Sequence, residues 1–148
     1  MAILVPDASI ILKWVLEKEN EPDLKKAIRI LRDYLDERIR ICLPNLWRYE
    51  VGNVLGQKQP KLAKELMKTL LCYEFDEEPL KEEYCLQILD LMIKLKAVSF
   101  YDASYHVLAI RKKGVYVTAD RLYYRHAVNE GCIALLSDIK TEFGKTVS

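Results

Sequence analysis

Apolar runs of strand length alternate along this chain with stretches of helical period, as strands and helices do when they follow one another in a layered fold. Residues 2–6 (AILVP) form a short unbroken apolar run, which is what a parallel strand covered on both faces requires. A helix is predicted after Asp7, with Ile11, Trp14 and Val15 on one face. The next is predicted to begin at Pro22, because proline suits the first helical position, and its core stripe is Leu24, Ala27, Ile28, Leu31 and Leu35. Residues 39–43 (IRICL) read as the second strand; Pro44 ends it, and Asn45 is placed to cap a helix carrying Leu46, Trp47, Val51, Val54 and Leu55. Glu50 therefore lies on a helix.

Pro60 opens another helical stretch with Leu62, Ala63, Leu66, Met67 and Leu70, and residues 72–75 read as a short strand. From Pro79 to about residue 95 the stripe Tyr84, Ile88, Leu91, Met92 and Leu95 marks a long helix, and Ser99-x-x-Asp102 has the form of a capping box for the next. Residues 115–118 (VYVT) are the clearest strand, followed by Asp120, a helix to about residue 130, Gly131 as its stop, and a last strand over 132–136. Right-handed crossovers then give a three-layer α/β fold, with a central parallel sheet of four or five strands flanked by helices.

The 148 residues suit one domain, 1–148, with 143–148 as a loose tail. Apolar residues make up 51% and charged residues 30%, with no linker-like or singly charged block, so the chain reads as globular throughout. No apolar run is long enough for a bilayer span or a signal peptide, which predicts a cytosolic protein that does not enter membranes. Cys42, Cys72, Cys85 and Cys132 match neither redox nor zinc-ribbon spacing, and their apolar surroundings predict buried thiols. Asn and Gln are scarce beside Lys, Glu, Ile and Leu, a bias found in hyperthermophile proteins.

Against this pattern four acids stand out. Asp7 follows ILVP, Glu50 sits in NLWRYE, Asp102 in SFYDAS and Asp120 after VYVTA, each where an apolar segment gives way to a helix. Ligands of open parallel sheets collect at the carboxyl ends of the strands, so these acids can converge despite their separation in sequence. Convergent carboxylates repel one another, and hard oxygen ligands of this kind are neutralised by Mg²⁺ or Mn²⁺. Removing the four from the 22 acids leaves 18 against 23 Lys and Arg, a balance suited to a polyanionic partner. Each acid also has a structural explanation: Asp7 and Asp120 as helix caps, Asp102 as half of its capping box, Glu50 as a solvated helix residue.

Other chemistries that place an acid after the first strand lack their companions here. An aspartyl phosphatase carries a second Asp two residues on, where this chain has Ser9. A receiver domain needs an acidic pair and a phosphoacceptor Asp, and neither is visible. Five glycines include no G-x-G-x-x-G and no P-loop.

VPDASIILKW at the amino terminus, LWRYEVGNVL around residue 50, SFYDASYHVLA around residue 104 and VTADRLYY around residue 120 together resemble PIN-domain ribonucleases, above all the toxin subunits of VapBC toxin-antitoxin pairs. The resemblance runs from residue 3 to about 136; between Gly56 and Lys96 it is one of helical character alone. It implies a PIN-type fold and an acidic quartet, Asp7, Glu50, Asp102 and Asp120, holding one or two Mg²⁺ or Mn²⁺ ions. It gives supporting roles to Ser9 and Thr118, and to Asn53 that of orienting Glu50. It implies RNA as substrate, an antitoxin encoded in the same operon as inhibitor, and a homodimer. The quartet is intact, which favours an active enzyme over an idle RNA-binding or assembly PIN module; a housekeeping nuclease maturing ribosomal RNA would lack the antitoxin.

The side chains suit that chemistry. A Mg²⁺ held by carboxylates both lowers the pKa of an attacking water and stabilises charge building on a phosphodiester, and two ions about 4 Å apart would hold attacking and leaving oxygens in line, giving 5′-phosphate and 3′-hydroxyl ends. Lys13, Arg48, Arg121 and Arg125 flank the acid-bearing segments and are the candidates for phosphate contacts. His106 and His126 fall within helical periods and are expected to be structural. Trp14, Trp47 and Tyr49 are expected to pack the core or to line an apolar groove for a partner helix against the first and third helices.

Overall fold

Five short strands pair side by side, all parallel, in the order β3-β2-β1-β4-β5: β1 (Ala2–Pro6), β2 (Ile39–Pro44), β3 (Asp76–Glu78), β4 (Val115–Thr118) and β5 (Ile133–Leu135). The structure is a computed structural model and describes residues 1–16 and 23–140. β1 is central, with Leu4 opposite both Ile41 and Val115. The described helices are α1 (Ala8–Lys13), α2 (Leu24–Leu35), α3 (Trp47–Lys58), α4 (Ala63–Cys72), α5 (Glu82–Leu95), α6 (Phe100–Lys112) and α7 (Arg121–Ala127). None of the described helices is long and apolar enough to cross a membrane.

From β1 the chain first builds outward to β2 and β3, then crosses back to add β4 and β5 on the other side. Right-handed crossovers therefore put the helices of the first half on one face of the sheet and those of the second half on the other. Packing agrees: α1 contacts α2 and α3, while α6 lies across β1, β2 and β4 with α5 against it. Residues 103–109 of α6 are all buried, as a helix sandwiched between sheet and helix must be. The reversal at β1 opens a crevice between the carboxyl ends of β1 and β4, the place where open α/β sheets take ligands.

Several expected boundaries shift. The strand expected over 72–75 lies at Asp76–Glu78, because α4 continues to Cys72 and Glu74 turns the chain at φ 53°. α4 and α5 start three residues after Pro60 and Pro79. Asn45 makes no side-chain cap; Leu46 precedes α3, and the Asn45 N–H bonds Glu78 O at 3.0 Å. Pro22 and residues 143–148 lie outside the described residues. On α2, Ile28 and Leu35 face solvent, while Ile30 and Asp33 point inward and the Asp33 carboxylate meets Arg29 at 3.1 Å. Of the cysteines only Cys42 is buried, and Cys72 is exposed.

Two close fits hold β4 in register. Lys113 adopts the left-handed conformation at φ 55°, ending α6, and Gly114 then bonds Ala109 O at 2.8 Å. A Cβ on Gly114 would lie 2.5 Å from Ile3 O, so only glycine lets β4 pass this close to β1.

Candidate active site

The amide of Asp7 donates to Val117 O at 3.0 Å, adding one rung to the β1–β4 ladder and fixing Asp7 at the mouth of the crevice. Its carboxylate is nearly encircled by donors. Oδ1 accepts the Ser9 hydroxyl at 2.5 Å and the Ile10 N–H at 3.1 Å, and Oδ2 accepts the Thr118 hydroxyl at 2.6 Å. Thr118 in turn accepts the Asp120 N–H at 3.0 Å, so one buried hydroxyl ties the end of β1 to the turn after β4. Burial nonetheless raises the Asp7 pKa, outweighing the bonds from Ser9, Thr118 and the backbone that favour the charge.

The other acids reach the same edge from helix starts. Glu50 lies in the first turn of α3, half-buried, and its Oε1 accepts the Tyr105 hydroxyl at 2.9 Å. Burial raises its pKa, and the charges of Asp102 and Asp7 add to the effect. Asp102 lies in the first turn of α6, where its N–H donates to Ser99 Oγ at 3.0 Å. Its carboxyl is pushed up to about 6 by burial, then by Asp7, with a further push from Asp120. Asp120 is exposed and caps α7, its Oδ1 accepting the Tyr123 N–H at 3.0 Å.

The charges of Asp7 and Asp120 thus reach Asp102, and those of Asp102 and Asp7 reach Glu50. Among the described residues no three His, Cys, Asp or Glu side chains are grouped tightly enough to hold an ion as they stand. The donors are all hard oxygens, a set that fits Mg²⁺ or Mn²⁺ and offers no thiolate or imidazole to a softer metal.

The flanking residues divide. Ser9 and Thr118 hold Asp7, whereas Asn53 is exposed and takes a bond from Gln57 at 3.3 Å; the bond to Glu50 comes from Tyr105 instead. Arg48 is forked onto Glu77 at 2.8 and 2.6 Å, which commits its guanidinium. Arg121 and Arg125 are exposed beside Asp120, with contacts of 3.4 Å to Ser137 Oγ and to Arg121 O. Lys13 is half-buried in a groove of about 610 Å³ between α1, α3 and α4, where Ser9, Leu12, Val54, Lys58 and Leu66 also appear.

Trp14 and Trp47 do not line that groove. Their indole N–H groups bond Ala27 O at 2.7 Å and Glu77 Oε1 at 2.8 Å, and both rings pack around Phe75 in the core; Tyr49 alone of the three is exposed. His106 is fully buried. Gly131 O can only accept, so the ring N–H sits on Nε2 (2.7 Å) and Nδ1 accepts the Tyr123 hydroxyl at 2.8 Å. Burial lowers its pKa, consistent with a neutral structural histidine.

Among solved structures, the chain is similar to a toxin-antitoxin complex from Klebsiella pneumoniae, with a TM-score of 0.62 at 12% identity, covering 94% of this chain and 100% of the other. At that identity the likeness is one of fold. Among curated proteins none matches. A family model for the PIN domain matches residues 4–129, most of the chain and all four acids, so the chain belongs to the PIN domain family.

Proposed function

We propose that the chain is a Mg²⁺- or Mn²⁺-dependent endoribonuclease, the toxin of a toxin-antitoxin pair. PIN domains are generally nucleases, and the carrying observation is the meeting of Asp7, Glu50 and Asp102 at one edge with every carboxyl raised in pKa. Such a site is costly to keep unless it serves a cation. Asp7, Glu50, Asp102 and Asp120 would hold one or two ions, which when bound lower the pKa of the attacking water and offset charge on the phosphodiester.

The residues divide the remaining work. Ser9, Thr118 and the Ile10 amide fix Asp7, so its orientation is set before any substrate arrives. Arg121 and Arg125, exposed on α7 next to Asp120, are placed to meet the phosphate backbone. The groove between α1, α3 and α4 shares Ser9 with the site, is lined by leucines and valines together with Lys13 and Lys58, and would receive an amphipathic antitoxin helix. An arginine from that helix could fork onto the acids and displace the cation. The toxin-antitoxin neighbour supports such a partner, and we infer a homodimer as the free form from the resemblance to VapBC toxins.

The test is cleavage of single-stranded RNA. The wild type should cut with Mg²⁺ or Mn²⁺ and stop in EDTA, and Asp7→Asn should lose on the order of 100-fold or more in rate, because a cation ligand is lost. Full activity in EDTA, or an undiminished Asp7→Asn enzyme, overturns the proposal.

A further inference from the structure

Beneath the acid edge lies a buried layer of phenols. Tyr105 follows Asp102 by three positions on α6, so it shares a helix face with that acid, yet its hydroxyl reaches across to Glu50 on α3. The Tyr105 ring stacks on Tyr116 of β4, with centroids 6.0 Å apart and planes 17° from parallel. Tyr116 meets Tyr123 edge-on at 5.6 Å, and Tyr123 is bonded to the buried His106. Both stacked tyrosines are sealed from solvent, at 1% and 0% exposure. The Tyr116 hydroxyl is buried and has no hydrogen-bond partner in good geometry, so Tyr116 serves Tyr105 by ring packing.

We propose that Tyr105 is a positioning residue of the acid cluster: it occupies Glu50 Oε1 and so determines which oxygen faces the crevice, while stacking on Tyr116 holds its ring in place. The Glu50 carboxylate is thereby presented to a cation from a set direction. Glutamate has three rotatable side-chain bonds, and a phenol held by ring packing removes that freedom without adding charge. An ionised carboxylate accepts and never donates, so the single Tyr105 proton is committed to it. Metal sites depend on this kind of outer support as much as on the ligands.

The inference rests on the cation-site reading, and Mn²⁺ binding separates the two. Free Mn²⁺ is followed by its electron paramagnetic resonance signal with wild type and Tyr105→Phe, beside melting curves in EDTA. Wild type should bind Mn²⁺; Tyr105→Phe should bind it weaker by on the order of 10-fold. In a Glu50→Gln background Tyr105→Phe should change nothing further. Should Tyr105→Phe melt early, 4-aminophenylalanine at 105, which keeps a ring and a donor, should restore binding. Wild-type affinity in Tyr105→Phe, or an equal loss in both backgrounds, overturns the positioning role and leaves the cation site standing. Failure of the wild type to bind Mn²⁺ overturns the cation site itself, and the role of Tyr105 with it.

Discussion

Replacing Asp102 by Asn should stabilise the metal-free protein. The folded carboxyl titrates at about 6 against an ordinary 3.8, because burial and then Asp7 oppose its charge. Two pKa units correspond to about 3 kcal/mol. Asp102 is partly open to solvent, and screening cuts that to roughly 1–2 kcal/mol. The substitution also removes an acid from the first turn of α6, losing about 0.3–1 kcal/mol of favourable helix-dipole interaction. The balance is a gain of roughly 1 kcal/mol, or about 3 °C in Tm. The sign with pH follows from the raised value: the stability tied to this group is fully present below its unfolded pKa and is lost as pH rises through about 6. Thermal melts in EDTA should therefore show Asp102→Asn above wild type at about pH 7.5, with the gap closing towards about pH 4. Added Mg²⁺ should reverse the order, since it binds the wild type better. A variant that melts clearly below wild type in EDTA at the higher pH would make Asp102 a structural cap and refute the crowding.

Other substitutions probe other parts. Thr118→Val leaves Asp7 Oδ2 and the Asp120 N–H without their shared partner, so it should cost about 1–3 kcal/mol in urea denaturation and also weaken Mn²⁺ binding; an unchanged affinity would separate Thr118 from the site. Gly114→Ala puts a Cβ 2.5 Å from Ile3 O and should cost about 1–3 kcal/mol in the same assay, whereas an unchanged midpoint would mean β4 is less tightly held than described. Arg48→Ala breaks an exposed fork to Glu77, and stability should fall by about 1 kcal/mol or less while KM for RNA stays put; a raised KM would return Arg48 to the phosphate contacts.

What was legible in the sequence was local. Asp7 and Asp120 could be placed because each directly follows an apolar strand run, and the order of the elements alone implied a crevice between their strands. β3 escaped because it is three acidic residues on a sheet edge, Asp76–Glu78, and carries no apolar period to read. The tryptophans were harder for a related reason: an indole is read as exposed or buried by where its N–H finds an acceptor, and Ala27 and Glu77 lie 13 and 30 residues away. Arg48 was offered to phosphate because Glu77, which claims it, comes from another element. Tyr105 was missed although its spacing of three from Asp102 placed it on the acid's face of α6. Its bond to Glu50 spans 55 residues and exists only in the folded chain.

Every step of the proposed chemistry depends on a cation between the carboxyl ends of β1 and β4. Crystals soaked in Mn²⁺ and measured for anomalous scattering test it directly. A peak bounded by Asp7, Glu50 and Asp102 is expected, and it should be lost in Asp7→Asn. A peak elsewhere with this crevice empty, or the same peak in the variant, would contradict it.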